Sequence, residues 1–447
     1  MVDVPLDLLA YYACEDADCC FRLNEEFESL LNEGDLRRVY QEIDMPLVPI
    51  LALMELNGVF VDANELAKIS DFLAEQAKIL EEKIYEISGE VFNISSTKQL
   101  QEIIFTKLKI HEKLGIKRIK KTKSGYSTDV SVLEKLSEHP LPKLILDYRT
   151  VTKLKNTYVD TLPQLIEPSS NRIHTSFHQT GAQTGRLSSS KPNLQNIPIR
   201  SEMGKEVRRA FRAENSSSCI VSADYSQIEL RLLAHMSGDE NLKNAFAMGG
   251  DIHKSTAATM FKKSANEVNE TDRSRAKAIN YGLIYGMGPQ RLARTTGVSL
   301  KEAKQFIESY FESFPQIRKY IDSSIAAAKK LGFSTTLLGR RRPIEGLDDS
   351  GGLTAVNAQN IAVNSPIQGT AADLIKLAMI KIQNRLDESS MEAKMLLQVH
   401  DELVFECPKS EADALKDLVR DCMEHAMQLD VSLTVEIGQG NNWLEAH

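Results

Sequence analysis

The stretch Met395-Leu396-Leu397-Gln398-Val399-His400-Asp401-Glu402-Leu403-Val404-Phe405-Glu406-Cys407 decides the fold. Two apolar, β-forming runs, Met395 to Val399 and Leu403 to Cys407, flank only three residues. That is hairpin loop length, so the spacing predicts an antiparallel strand pair with Asp401 at its tip. A carboxylate in a turn is ordinarily a turn residue and nothing more. It gains meaning from a second run, Cys219-Ile220-Val221-Ser222-Ala223, which ends at Asp224. Two carboxylates fixed at neighbouring strand ends can hold two Mg²⁺ ions ~4 Å apart. Mg²⁺ takes oxygen ligands and leaves room for substrate phosphates. Nothing here resembles a zinc-type cluster of Cys and His, so the pair points to phosphoryl transfer rather than zinc hydrolysis.

Between the two carboxylates the pattern is helical, from Glu229 to about Leu331. The middle of the chain is thus a helical insertion between two strand-bearing parts of one sheet, and Val431 to Ile437 reads as a further strand. Within the insertion, Arg273, Lys277, Tyr281 and Tyr285 recur every fourth residue and share one slowly turning helix face. That face is cationic first and aromatic after, an order that suits a nucleoside triphosphate lying along the helix. Gly282 and Gly286 cost helix stability and would let something flat approach the backbone.

Upstream, residues 35 to about 168 read as mostly helical. Met45 to Leu56 is an apolar helix ended by Asn57-Gly58, and Asp62 can cap the next one. Asn93 to Lys98 offers an N-cap and free backbone N–H groups for a phosphate. Lys117 to Ser127 is basic and aperiodic and reads as a mobile loop, and residues 174 to 224 read as loop-rich with short strands.

The 447 residues suggest two or three packed units, with an ordinary 42% hydrophobic and 26% charged composition. No apolar run is long enough for a bilayer, and Met1 to Pro5 has no signal-peptide character. Six cysteines without metal-ligand spacing suit a reducing compartment. The net charge of −8 argues weakly against nucleic acid, but basic clusters at Lys117–Lys123, Arg208-Arg209, Arg273–Lys277 and Arg340–Arg342 read as phosphate contacts along a groove.

The three segments around Asp224, Lys277 and Asp401 occur in the order that defines the DNA polymerase I family, which this chain resembles along nearly all of its length. Thr184-Gly185-Arg186-Leu187-Ser188-Ser189, Asn193-Leu194-Gln195-Asn196-Ile197-Pro198, Asp251-Ile252-His253, Ser365 to Asp373, Asn442-Trp443 and Ser95 to Leu100 are similar to that family as well.

The resemblance implies an α+β right hand: a thumb over residues 29–173, a palm split into 174–225 and 346–447, and fingers over 226–345. It implies a DNA-directed DNA polymerase that adds dNTPs to a primer 3′-hydroxyl by two-metal phosphoryl transfer. Asp224, Asp401 and the Tyr225 carbonyl would ligate two Mg²⁺ ions, with Mn²⁺ as a substitute, beside the less critical Glu402. Arg273, Lys277, His253, Tyr281, Tyr285 and Gln227 would bind the dNTP, Lys277 as proton donor to pyrophosphate, and Glu229 would exclude a ribose 2′-hydroxyl. Arg186, Asn193, Gln195, Asn196, Asn364, Gln368, His400 and Lys98 would contact primer–template DNA, several of them reading the minor groove. A monomeric, bacterial cytoplasmic enzyme without membrane attachment is implied.

Residues 1–28 resemble only a remnant of the family's 3′–5′ exonuclease domain, with the acidic motif Tyr12-Ala13-Cys14-Glu15-Asp16, so neither proofreading nor 5′ nuclease activity is expected. Asn360 and Tyr281 depart from the family, where Arg and Phe are frequent, and the thumb is a few residues longer around Ile110 to Gly115. Two alternatives stand at this point. One is a single-subunit RNA polymerase, and the other is a primer–template-binding protein that keeps the fold without the chemistry.

Overall fold

The computed structural model describes residues 3–32, 34–123, 125–198, 202–249, 251–347 and 352–447. Met1 and Val2 of the N-terminal reading, and Ser124 of the expected loop, lie outside them. The chain divides into two compact units. The first comprises Met1–Asn57, Ser176–Ser190 and Val221–Gly438, and the second Gly58–Thr175, Lys191–Ile220 and Gln439–His447.

Eleven elements position the site: α1 (Leu6–Leu31), α2 (Met45–Asn57), α3 (Ala63–Ser88), β1 (Ser218–Tyr225), α4 (Ile228–Ser237), α5 (Ile252–Phe261), α6 (Glu270–Ile284), α7 (Leu353–Asp387), β2 (Lys394–Val399), β3 (Glu402–Pro408) and β4 (Val435–Gly440). The sheet has the order β2-β3-β1-β4, so strands from both ends of the helical insertion pair directly, as the sequence predicts. The β2–β3 hairpin closes at the pair Val399↔Glu402, leaving His400-Asp401 as its loop. Burial explains the apolar runs: Met395, Leu396, Leu397, Val399, Leu403, Val404 and Phe405 are all within 2% of fully buried. Strand β4 starts four residues later than expected. The alternation of buried Val431 and Leu433 imitates a strand. The Ser432 carbonyl, however, accepts from Arg231 and the Thr434 carbonyl from the Ser226 N–H.

In the second unit, Asp62 caps α3, accepting from the Asn64 and Glu65 N–H groups at 3.0 and 3.3 Å, and Gly89 ends it at φ 75°. A core of Leu100, Ile103, Ile104, Leu133, Leu141 and Ile145 fills this unit. The expected loop at Lys117 to Ser127 contains a hairpin instead, with Lys121–Thr122 paired to Gly125–Tyr126. Its anchor is tertiary: the Tyr126 ring stacks on Phe105 at 4.6 Å between centroids.

The phosphate reading of the basic clusters is corrected at two positions. Arg208 is buried, its guanidinium 3.9 Å from the centroid of the Trp443 ring. Arg340 bridges Asp44 and Asp373 inside the first unit. Among the described residues no helix is long and apolar enough to cross a membrane.

Candidate active site

All of the chemistry-bearing segments lie in the first unit. The Tyr225 N–H donates to the Asp401 carbonyl at 3.2 Å, so the end of β1, with Asp224, is pinned to the β2–β3 tip. His400 takes the left-handed φ of 57° that this two-residue turn requires, and the Gln398 side-chain amide donates to the His400 carbonyl. Arg231 locks the other side of the strand end. It donates to the Ser226 carbonyl at 2.8 Å and the Ser432 carbonyl at 2.6 Å, and lies over Phe246. Burial pushes the Asp401 carboxyl up to about 6, with the Arg186 charge opposing and the Glu229 charge adding. Glu402 is not a loop residue: it begins β3, is buried, and accepts from the Ser222 hydroxyl at 2.6 Å.

Gln227, at φ 56°, turns the chain into α4, whose first turn carries buried Glu229. Glu229 accepts from Arg186 at 2.7 Å and from the Tyr285 hydroxyl. Gln368, on α7, lies close enough to the Tyr285 hydroxyl to favour its ionised form slightly. Burial first, then the Glu229 charge, holds the Tyr285 phenol well above its ordinary value, so it remains a donor. Asn364 stands one turn before Gln368, and its buried Oδ1 has no hydrogen-bond partner among the described residues.

Helix α6 presents Arg273, Lys277 and Tyr281 on one face, as expected. Arg273 pairs with Asp251 and with Glu270, the latter at 3.1 Å. Asp251 also caps α5, accepting from the His253 and Lys254 N–H groups at 2.9 and 3.2 Å. Lys277 stands one turn beyond Arg273 on that face, and its charge acts on His253. His253 is buried, meets Asn280 at 3.1 Å and lies 5.6 Å from the Tyr281 ring. Burial lowers its pKa to about 4, with Asp251 opposing and Lys277 and Arg273 adding, so at neutral pH it offers a hydrogen bond and no charge.

Two expectations about α6 are corrected. Tyr285 does not continue the helical face: it is the C-cap, and Gly286 leaves at φ 67°. The Met287 N–H donates to the Gly282 carbonyl at 2.7 Å and the Gly286 N–H to the Leu283 carbonyl at 3.1 Å, a Schellman ending. What approaches the two glycines is protein. A Cβ on Gly282 would meet Met287 Sδ at 2.9 Å, and one on Gly286 would meet Asn360 Oδ1 at 1.8 Å.

Lys98, Asn193, Gln195 and Asn196 belong to the second unit. Ser96 caps Thr97–Gln101, which carries Lys98, and Asn193 caps the turn Leu194–Asn196 through the Gln195 N–H at 3.1 Å. Three site residues had no role assigned from sequence. Asp251 stood within a quoted motif, and its N-cap position before a helix was the available signal. Asn280 and Arg231 act through tertiary partners that no local pattern shows.

A family model described as DNA polymerase family A matches residues 63–445. DNA polymerase I of Bacillus subtilis is 45% identical over 98% of this chain and 49% of its own length. The thermostable DNA polymerase I of Thermus aquaticus is 46% identical over 93% of this chain and 49% of its own. The chain spans about half the length of the curated relatives it matches. The polymerase domain of Pol1 from M. smegmatis, solved with a DNA primer–template and dNTP, superposes with a TM-score of 0.89 at 40% identity. That match covers 97% of this chain and 75% of the other.

Proposed function

Since this chain belongs to DNA polymerase family A, we propose that it extends a DNA primer on a DNA template, adding dNTPs and releasing pyrophosphate. One observation carries the reading: the Asp224 strand end is pinned to the Asp401 tip, whose buried carboxyl at about 6 marks a site that wants cationic compensation. The donor set is hard oxygen, two carboxylates and the Tyr225 carbonyl, which fits Mg²⁺ better than zinc or copper. Bound there, Mg²⁺ would neutralise charge on the transferring phosphoryl group and acidify the primer hydroxyl.

The protein's own part is placement. Lys277 and Arg273 hold the triphosphate along α6, and Lys277 supplies a proton towards pyrophosphate. His253 donates a neutral hydrogen bond, and Tyr281 lies against the sugar. Arg186, Asn364, Gln368 and His400 contact the terminal base pair and its neighbours. Residues 29–173 are read as the thumb, 174–225 and 346–447 as the palm, and 226–345 as the fingers. We also propose that the chain lacks proofreading: Asp16 is exposed on α1, and rapid Mg²⁺-dependent removal of a mismatched 3′ terminus by the purified chain would overturn it. Extension of a primed DNA template with Mg²⁺, offering dNTPs or rNTPs, tests the whole reading. Failure to extend with dNTPs, or equal use of rNTPs, would overturn it.

Two finer expectations concern sugar selection. Glu229→Ala should admit ribonucleotides, improving rNTP use about 10–100-fold, because the side chain excludes an added 2′-hydroxyl by contact. An unchanged dNTP-over-rNTP ratio would remove Glu229 from that role. Tyr281 lies one turn beyond Lys277, where a phenolic O–H can replace the 3′-hydroxyl that a dideoxynucleotide lacks. A hydrogen bond to charged phosphate is worth roughly 1.5–3 kcal/mol, or one to two decades. The enzyme should therefore use ddNTPs nearly as well as dNTPs, and Tyr281→Phe should restore discrimination. Equal competitive ratios for both forms would sink this.

A further inference from the structure

Helix α7 reaches the turn that ends α6 at two points, eight residues apart. Gln368 lies near the Tyr285 hydroxyl, and Asn360 packs on the backbone of the next residue. The second contact is close enough to dictate the residue opposite. A Cβ on Gly286 would lie 1.8 Å from Asn360 Oδ1, 2.2 Å from its Cγ and 2.7 Å from its Nδ2. The amide of Asn360 thus fills the place where any other residue at 286 would carry its side chain.

Gly286 is also where the chain leaves α6 in the left-handed region, at φ 67°. A glycine there is a pivot, because it alone moves through this region without a Cβ penalty. The Tyr285 ring stands directly before that pivot, with its hydroxyl on Glu229. Glu229 is in turn held by Arg186.

We infer that Asn360 is a positioning residue for sugar selection: by filling the space over Gly286 it fixes the pivot, and so holds Tyr285 on Glu229. The inference rests on the reading of Glu229 as the group that rejects a ribose. Asn360 needs no charge for this role and touches neither nucleotide nor metal in it. Its size decides the matter, since the side chain must be long enough to cover the glycine and short enough to stop there.

The test is steady-state extension of a primed template with dNTP and rNTP, recording kcat and KM separately. Asn360→Ala should lower the dNTP-over-rNTP ratio about tenfold, with kcat for dNTPs nearly unchanged and thermal unfolding close to wild type. Asn360→Leu, which refills the volume without the amide, should recover the ratio. Gly286→Ala should be severely impaired, and the double variant Gly286→Ala/Asn360→Ala should be less impaired than the two single effects added, because removing the amide makes room for the methyl. A wild-type ratio in Asn360→Ala, or simple additivity in the double variant, would overturn the inference. A Glu229→Ala control separates the layers. If it shifts the ratio while Asn360→Ala does not, the positioning role alone fails; if it leaves the ratio unchanged, the gate reading fails and the inference with it.

Discussion

Asp401→Asn should reduce primer extension by about 10³-fold or more and at the same time raise the melting temperature of the metal-free protein near pH 7. The two effects share one cause. The hairpin tip buries a carboxyl whose pKa burial lifts to about 6 from an ordinary 3.8, against the Arg186 charge and with the Glu229 charge adding. An acid raised in the folded state destabilises the fold wherever it is ionised, which here means above about 6. The penalty shrinks as pH falls through 6 and is gone below 3.8, where the group is protonated folded and unfolded alike. The stabilisation by Asn should therefore be full near pH 7 to 8 and vanish towards pH 4. Primer–template binding should survive, because the contacts assigned to DNA lie on other residues. Asp224→Ala should match the loss of extension. Near-wild-type turnover in either variant would remove that residue from the site. A melting gain that is independent of pH would show that the carboxyl is not held at cost.

Much of this site was legible because its parts are local. A three-residue gap between β-forming runs specifies a hairpin, and an apolar run ending in Asp specifies a strand-end carboxylate. The caps Asp62 and Ser96 and the left-handed Gly58 follow from short-range hydrogen bonding and sterics alone. Most of the failures are tertiary. Tyr285 keeps the four-residue spacing of α6, yet the Schellman ending at Gly286 removes it from the helix, and its partner Glu229 comes from α4. Val431 to Thr434 alternate like a strand while their carbonyls serve Arg231 and Ser226. Arg208 and Arg340 look like surface cations in any window of sequence. Only Trp443 in one case, and Asp44 with Asp373 in the other, reveal that they face inward.

Arg340 supports the other large effect. Its guanidinium donates to both Asp44 oxygens, at 2.9 and 2.8 Å, and to Asp373 at 2.7 Å. Lys376 reaches Asp44 at 3.0 Å, and the Thr336 hydroxyl reaches Asp373 at 2.7 Å. Asp373 is wholly buried and Lys376 nearly so. Burial raises the Asp373 carboxyl above its ordinary value even with Arg340 beside it, so the arginine offsets only part of the cost. Arg340→Ala should lower stability by about 3–5 kcal/mol, the usual consequence of stranding a buried charge. Asp373 would then rise further, and its penalty applies above its folded pKa and disappears below 3.8. The melting deficit of Arg340→Ala should accordingly shrink as the buffer is acidified from neutral towards pH 3.8. Adding Asp373→Asn to Arg340→Ala should restore part of the lost stability, since a neutral amide can still meet Thr336 and no longer demands a cation. Thermal melts of the three forms across that pH range decide it. If the double variant is no more stable than Arg340→Ala, the damage comes from lost packing of the arginine stem rather than from the uncompensated carboxylate.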